Sequence, residues 1–130
     1  MSGKFTVEII SPDQTILKQD TTEVIIPSYE GQMGILNNHI PLITFLRPGI
    51  ITIKKSETEK KFYVEDGTVE FSNNNLLILT ATAKDLSNFD KSLINDLIQK
   101  AEAKINDSGI SDKDRYTVAY KIQTLKEINQ

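Results

Sequence analysis

The sequence predicts an α+β, mainly β chain: an N-terminal antiparallel β-sandwich of about ten short strands, followed by a C-terminal α-helical hairpin. As far as about residue 83, apolar residues alternate with polar ones, which is typical of strands with one buried face. The segments between them are rich in Pro, Gly, Asn and Asp, which favour turns. From residue 84 onward, apolar residues recur at helical spacing. We therefore expect a sandwich domain over residues 1–86 and a two-helix domain over residues 87–130.

The first half contains a series of apolar segments long enough for strands. They cover residues 5–10, 15–17, 23–26, 33–36, 42–46, 50–54, 61–64, 68–71 and 76–82. Asp66-Gly67, between two alternating segments, is the usual signal of a two-residue hairpin turn. Closely spaced short strands of this kind predict an antiparallel sandwich or a flattened barrel.

The second half contains two helical patterns. In the first, apolar residues recur every four positions at Phe89, Leu93, Leu97, Ala101 and Ile105. Ile94 and Ile98 widen this apolar stripe. Ser87, with Asp90 three residues later, resembles a capping box and predicts a helix over residues 88–105. Gly109 is able to adopt the left-handed conformation that ends a helix.

Ser111 and Asp114 repeat the capping pattern and predict a second helix over residues 112–128. A short link between two amphipathic helices implies an antiparallel hairpin. Two helices of this length are marginally stable by themselves. The hairpin must therefore lie on the sandwich, lie on another protein, or alternate between the two, so both a static cap and a switch are open.

The composition excludes several classes of protein. The net charge is −3, whereas non-specific nucleic-acid binding needs a basic surface. The chain has no cysteine, which excludes disulfides, thiolate metal sites and a cysteine nucleophile. No apolar segment approaches the ~18 residues of a membrane-spanning helix, and neither a signal peptide nor an Arg-rich transit segment is expected. Any membrane association should come through a partner.

No catalytic or cofactor site is indicated. His39 is the only histidine, so a pair of histidine or cysteine metal ligands cannot form. The sequence contains no Gly-x-Ser-x-Gly elbow, no Gly-x-x-x-x-Gly-Lys-Ser/Thr loop and no Gly-x-Gly-x-x-Gly motif. We expect a non-catalytic protein with no metal and no cofactor.

The most specific segment runs from residue 27 to residue 49. It reads Pro-Ser-Tyr-Glu-Gly-Gln-Met-Gly-Ile-Leu-Asn-Asn-His-Ile-Pro-Leu and ends, three residues later, in Leu-Arg-Pro-Gly. Glycine suits positions where φ is positive or where another surface approaches the backbone closely. Tyr29, at the tip of the first turn, is either a docking residue or a residue folded back over the sheet edge.

This segment resembles the signature of the ATP synthase epsilon family, called delta in mitochondria. In that family a Gly-x-x-Gly-Ile-Leu segment precedes an Asn or Pro, a small residue, His-x-Pro-Leu and a Pro-Gly turn. The likeness extends to residues 7–12, 64–71 and 77–79. The family's architecture, a β-sandwich followed by a helical hairpin, agrees with the two periodicities found independently.

The resemblance implies a rotor subunit in the central stalk of an F-type ATP synthase. Such a subunit links the gamma subunit to the membrane-embedded c-ring, so that a proton gradient drives ATP synthesis. The implied contacts with the c-ring are Tyr29, Glu30, Gly31, Gln32 and His39. The implied contacts with the gamma subunit are Ser11, Asn38, Ile40, Pro41, Leu42 and Thr44. The implied location is the cytoplasmic face of a bacterial inner membrane, as a peripheral protein.

The resemblance also implies that the hairpin can reach the alpha and beta subunits and inhibit ATP hydrolysis. Basic residues available for that contact are Arg115, Lys121 and Lys126. The acidic residues Asp112, Asp114 and Glu127 dilute their charge. The second helix is therefore less basic than a strong electrostatic inhibitor would need, and inhibition of ATP hydrolysis is a hypothesis.

Many bacterial members of the family bind ATP through a Leu/Ile-Asp-x-x-Arg-Ala motif in the first helix. This chain keeps the aspartate as Asp90 but has Leu93 in place of the arginine. The substitution removes a bidentate phosphate donor. We expect weak ATP binding or none.

Two other hypotheses stay open at this stage. The chain could be an unrelated β-sandwich binding module whose helices form a dimerisation element. A small hydrolase built on His39 has less support, because no nucleophile elbow accompanies the histidine.

Overall fold

The computed structural model describes residues 3–129, which form ten β-strands, one 3₁₀ turn and two α-helices. The strands are β1 (Phe5–Ile10), β2 (Thr15–Thr21), β3 (Glu23–Ser28), β4 (Gly31–Leu36), β5 (Leu42–Leu46), β6 (Gly49–Lys55), β7 (Thr58–Val64), β8 (Gly67–Ser72), β9 (Asn75–Leu79) and β10 (Lys84–Asp85). The 3₁₀ turn is Leu86–Asn88, and the helices are α1 (Lys91–Ile105) and α2 (Asp112–Ile128). The predicted fold class is confirmed.

Strand β3 joins the two layers of the sandwich. Its first residues, Glu23 to Ile25, pair with β6, and its last residue, Ser28, pairs with Leu46 of β5. One layer continues from β3 through β6 and β7 to β10, with β4 paired to β3, and the other runs β5-β8-β9-β1-β2. Strands β1 and β9 run parallel, a pairing that the apolar alternation does not reveal.

The main core lies between the two layers. In β1 the buried residues alternate with half-buried ones along the strand, as the period of two predicts. The apolar residues of this core are Phe5, Val7, Ile9, Val24, Ile26, Ile35, Leu46, Ile51, Ile53, Phe62, Val64, Val69, Phe71, Leu76 and Ile78. All of them precede the helices, so the sandwich fills its interior without the hairpin.

The hairpin predicted at Asp66-Gly67 is wrong. Strand β7 pairs with β6 and β10, whereas β8 pairs with β5 and β9, so this turn carries the chain from one layer to the other. Glycine is needed here for another reason: Gly67 has a φ of +147°, and a Cβ would lie 2.6 Å from the carbonyl oxygen of Leu79. Two asparagines form the tight turn between β8 and β9, where Asn73 and Asn74 have φ values of 51° and 56°.

Helix α1 begins later than predicted, because Ser87 is not its N-cap. The Ser87 backbone N–H and hydroxyl donate to the Asp85 carboxylate at 3.0 and 2.8 Å within the 3₁₀ turn. Asp90 is the N-cap and accepts from the Ser92 N–H at 2.9 Å. After the 3₁₀ turn the backbone is extended again at Phe89 and Asp90, with ψ values of 112° and 133°, so α1 cannot begin before Lys91. The domain boundary expected at residues 86 and 87 falls in this 3₁₀ turn.

The end of α1 and both ends of α2 agree with the prediction. The Ser111 hydroxyl accepts from the Asp114 N–H at 3.1 Å, as the capping pattern requires. Gly109, however, does not adopt a positive φ. Its N–H donates to the Asp107 carboxylate at 2.9 Å instead.

Candidate partner-binding surfaces

The β3–β4 turn presents Tyr29 and Glu30 at one end of the sandwich. Gly31 allows the turn through a φ of +123°, and its carbonyl accepts the Ser28 hydroxyl at 2.6 Å. The Tyr29 N–H donates to Phe45 at 3.1 Å, which anchors the turn to β5. Glu30 and the neighbouring Gln32 are exposed, so both are accessible to a partner.

His39 lies at the other end of β4, in the loop before β5. Its ring meets Phe71 edge-on with centroids 5.9 Å apart, and its Nδ1 is 2.8 Å from the Ile40 carbonyl oxygen. The six residues of β4 span about 17 Å at ~3.3 Å per residue. The structure therefore does not bring His39 together with Tyr29, Glu30, Gly31 and Gln32.

Asn38 shares the His39 end of the sandwich. Its backbone N–H donates to the Asn74 side chain at 2.6 Å, and its own side chain accepts from Asn74 at 3.0 Å. These bonds hold the β4–β5 loop against the β8–β9 turn. Ser11 lies at the opposite end, where its hydroxyl donates to the Gln14 carbonyl at 3.1 Å. The residues expected to contact gamma are therefore also divided between the two ends.

The side chains of β5 alternate between buried and exposed positions, and only the exposed ones are accessible to a partner. Thr44 is buried and Leu42 packs against the core, so these two expected contacts face inward. Ile43 and Phe45, which alternate with them, are 74% and 58% exposed. Ile40, in the preceding loop, is 74% exposed and is accessible as expected. Ile43 and Phe45 were not predicted as contacts, although strict alternation places them outward once Leu42 and Thr44 face the core.

An apolar patch occupies part of the outer face of the β5-β8-β9-β1 layer, which also carries Glu70 and Glu8 in the row of Ile43. Phe45 pairs with Thr68, Thr68 with Leu79, and Leu79 with Ile10 across the four strands. Leu79 is 45% exposed. Large apolar side chains gathered on one exposed sheet face usually mark a protein interface. We call Ile43, Phe45, Leu79 and Ile10 the apolar face.

A groove of about 990 Å³ lies over part of the apolar face. It is lined by Phe45, Leu79 and Ile10 of that face, by Ser11 and Pro12 of the β1–β2 turn, and by Tyr29. Lys113, in the first turn of α2, also lines it. The groove is therefore built from the sandwich and the hairpin together.

The hairpin is folded onto the sandwich over a second, smaller core. Tyr63 of β7 is fully buried there against Ile94, Ile98 and Leu125. Leu93, part of the predicted stripe, is instead 42% exposed, because the buried face of α1 is centred on Ile94 and Ile98. The Thr124 hydroxyl lies 3.4 Å from the Pro48 carbonyl oxygen, which places α2 over the Arg47-Pro48-Gly49 turn.

All four tyrosines of the chain lie where the hairpin meets the sandwich. The rings of Tyr29 and Tyr116 are stacked with centroids 6.1 Å apart, and Tyr116 meets Tyr120 edge-on at 4.9 Å. The Arg47 guanidinium lies 3.9 Å from the centre of the Tyr120 ring, a favourable cation–π arrangement. Tyr29 is thus folded back against α2 while 41% of its surface remains exposed.

Three basic residues were considered for contact with the hexamer of alpha and beta subunits, and all three are engaged within the chain. Lys121 lies 3.0 Å from Glu65 of the sandwich, and Lys126 lies 3.2 Å from Glu102 of α1. Arg115 donates to the Ile105 carbonyl at the end of α1. In this folded arrangement the three cations stabilise the hairpin and its docking.

Neither helix within residues 3–129 is long and apolar enough to cross a membrane. Residues 4–85 match the family model described as the β-sandwich domain of the ATP synthase delta/epsilon chain. The chain belongs to the ATP synthase delta/epsilon family. The recognition made from the residue 27–49 segment is confirmed.

Relatives in this family match most or all of the chain. An ATP synthase epsilon chain from Pelagibacter ubique is 46% identical over 99% of this chain and 100% of its own length. One from Dichelobacter nodosus is 35% identical over 81% of this chain and 74% of its own length. A chain in a Euglena gracilis mitochondrial ATP synthase structure has a TM-score of 0.75 at 20% identity, covering 95% of this chain and 78% of that one. At that identity the structural match supports the fold.

Proposed function

We propose that this chain is a non-catalytic rotor subunit in the central stalk of an F-type ATP synthase. It joins the gamma subunit to the c-ring, so that a proton gradient drives ATP synthesis from ADP and phosphate at sites on other subunits. Its relatives are named ATP synthase epsilon chain. The chain would be held at the cytoplasmic face of a bacterial inner membrane through these partners alone.

The proposal rests on one observation: a sandwich of this family exposes the apolar face to solvent. An outward row that contains Phe45, Leu79 and Ile10 would be costly to leave in water. A partner that packs on it removes that surface from solvent, as the centre of a stable interface requires. We assign this face to the gamma subunit, with Ile43 and Phe45 as its central contacts and Ile40 and Pro41 at its edge.

The c-ring is assigned to the exposed residues of the β3–β4 hairpin. Glu30 and Gln32 present one carboxylate and one amide to solvent, which suits polar loops at a membrane surface. A double variant, Glu30→Lys with Gln32→Lys, should weaken ring binding and coupled ATP synthesis. Intact coupling in that variant would contradict the c-ring assignment.

A binding measurement tests the gamma assignment. Phe45→Glu puts a charge at the centre of the apolar face and should abolish capture of the purified gamma subunit. Glu57→Lys changes an exposed residue of the β6–β7 turn and should bind normally. The proposal is wrong if gamma binds neither the natural chain nor the control, or if Phe45→Glu binds as well as the natural chain.

Inhibition of ATP hydrolysis by the hairpin is a separate proposal. It requires the hairpin to leave the sandwich, which breaks the Lys121–Glu65 pair and exposes Tyr63. Because the main core contains no helical residue, a chain lacking residues 88–130 should retain its sandwich. That truncation should raise ATP hydrolysis by the assembled enzyme, and an unchanged rate would exclude inhibition.

The alternative of an unrelated module with a dimerisation hairpin is not favoured. The family assignment covers the sandwich. The apolar stripes of the helices are already covered, because Ile94, Ile98 and Leu125 pack on Tyr63.

A further inference from the structure

A polar pocket of about 300 Å³ lies beside α2, on the outer face of the layer that contains β4, β3, β6 and β7. Thr52 of β6 pairs with Lys61 of β7, so both side chains project from the same face. Arg47 lines the pocket from the turn before β6, and Glu127 lines it from the last turn of α2. The other polar side chains that line it include two amides, those of Gln32 and Gln123. The pocket shares no lining residue with the groove over the apolar face.

Arg47 is held in this pocket without an anionic partner. One face of its guanidinium packs on the Tyr120 ring at 3.9 Å. Its Nε is buried and has no hydrogen-bond partner among residues 3–129, and none of the ion pairs in that part of the chain includes Arg47. An unpaired buried donor costs free energy. An acceptor supplied from outside the chain would therefore be bound favourably here.

We propose that this pocket is a binding site for free inorganic phosphate. A guanidinium presents a planar fork of N–H donors that matches two phosphate oxygens. The Lys61 ammonium supplies a second positive charge. Its ion pair with Glu59, at 3.5 Å between half-exposed side chains, is weak enough for phosphate to compete with it. The two amides of the lining donate to the remaining oxygens.

Glu127 determines which oxyanion is bound. It is the single carboxylate among the described residues that line the pocket, and an ionised carboxylate only accepts hydrogen bonds. At slightly alkaline pH, inorganic phosphate keeps one hydroxyl group that donates to this carboxylate. Sulfate has no such proton, and a phosphate monoester has lost its second proton at that pH. Both would bring only negative charge towards Glu127, as would ATP, so the pocket selects free phosphate.

An amide chemical-shift titration of the full chain tests the site. Sodium phosphate, added at slightly alkaline pH and constant ionic strength, should cause saturable shifts centred on Arg47, Thr52 and Lys61. Sodium sulfate and phenyl phosphate should each bind about tenfold or more weakly, since neither donates to Glu127. Glu127→Gln removes the carboxylate and should abolish the preference for phosphate over sulfate.

Two further variants test the cations. Arg47→Met removes the fork and should weaken phosphate binding about tenfold or more. Lys61→Gln changes an exposed residue, which leaves the fold intact, and should weaken binding about threefold. Lys60→Gln is the matched control, because Lys60 is the adjacent lysine and does not line the pocket. Its phosphate affinity should equal that of the natural chain.

The proposal is overturned if phosphate causes no saturable shift, or if the shifts centre away from the pocket. It is also overturned if the natural chain binds sulfate as tightly as phosphate, or if Lys61→Gln and Lys60→Gln behave alike. The rotor assignment is tested separately by capture of gamma and is unaffected by any of these outcomes.

Discussion

The ammonium group of Lys121 lies 3.0 Å from a carboxylate oxygen of Glu65, and the same oxygen accepts the Tyr63 hydroxyl at 3.1 Å. This three-residue arrangement connects α2, the end of β7 and the centre of the smaller core. The ion pair also engages Lys121, one of the basic residues that the family resemblance makes available for contact with the hexamer of alpha and beta subunits. Hairpin release and a hexamer contact through Lys121 therefore require the same ion pair to break.

Lys121→Met should ease release of the hairpin. The pair is partly exposed, with side-chain exposures of 25% and 29%. Its loss should therefore lower the free energy of hairpin docking by roughly 0.5–1 kcal/mol. Native-state amide exchange of α1 and α2 measures it. Lys126→Met breaks a pair inside the hairpin and is the control, which should leave docking to the sandwich unchanged. Equal effects from the two variants would contradict the role given to Lys121.

The docked hairpin should loosen at alkaline pH. Burial, followed by the charge of Glu65 and the hydrogen bond to it, raises the pKa of Tyr63 above its usual value. Because the pKa is higher in the folded state, this stabilisation is complete below the unfolded value of about 10 and declines as the pH rises above it. Docking measured by amide exchange should therefore weaken above pH ~10.

Tyr63→Phe provides the control for the pH effect. Phenylalanine keeps the ring in the smaller core and removes the titrating hydroxyl, so the loss of docking above pH ~10 should shrink. Absorbance of tyrosinate should also show that Tyr63 ionises above the usual pKa of a tyrosine. A pH profile identical in the two chains would rule out Tyr63 as the cause.

Gly67→Ala should destabilise the sandwich by about 1–3 kcal/mol. The φ of +147° is strained for any other residue, and the added Cβ would meet the Leu79 carbonyl oxygen at 2.6 Å. Gly34→Ala is the matched control, because the nearest atom to its Cβ would be a Glu23 carboxylate oxygen at 3.5 Å, an ordinary contact. Urea unfolding should separate the two variants clearly.

Asp90→Ala should weaken α1 by about 1 kcal/mol. Its carboxylate accepts from the Ser92 N–H at 2.9 Å, and alanine leaves that donor without its cap. Ser87→Ala removes a hydroxyl that bonds only within the 3₁₀ turn and should leave α1 intact. Thermal unfolding and helical circular dichroism of the two variants would show whether the cap lies at residue 90, and a larger loss in Ser87→Ala would contradict it.

ATP should bind weakly or not at all. Asp90 is already used as the N-cap of α1, and Leu93 offers an exposed apolar side chain where the family motif has an arginine. Isothermal titration of the purified chain with ATP should therefore give no saturable heat. A signal in the millimolar range or tighter would contradict this prediction.

Only part of the candidate surfaces could be predicted from the sequence. The residue 27–49 segment indicates both the family and the turn that carries Tyr29 and Glu30. It does not show that β4, about 17 Å long at ~3.3 Å per residue, separates His39 from that turn. The strand pattern of β5 allows either face to point inward. Packing against Phe71 and Val69 in β8, which pair with Leu42 and Thr44, places Ile43 and Phe45 outside.

By itself the sequence determined nine of the ten strands, the C-terminal ends of both helices and the family, because these depend on apolar periodicity and local turn chemistry. It missed β10 (Lys84–Asp85), which forms only by pairing with β7. Tertiary structure decided which strands pair, where α1 begins, and that the hairpin lies on the sandwich. Asp66-Gly67 is the clearest case: the same two residues suit a hairpin or a crossing between layers. Local preferences leave both open, and the burial of distant strands against each other selects one.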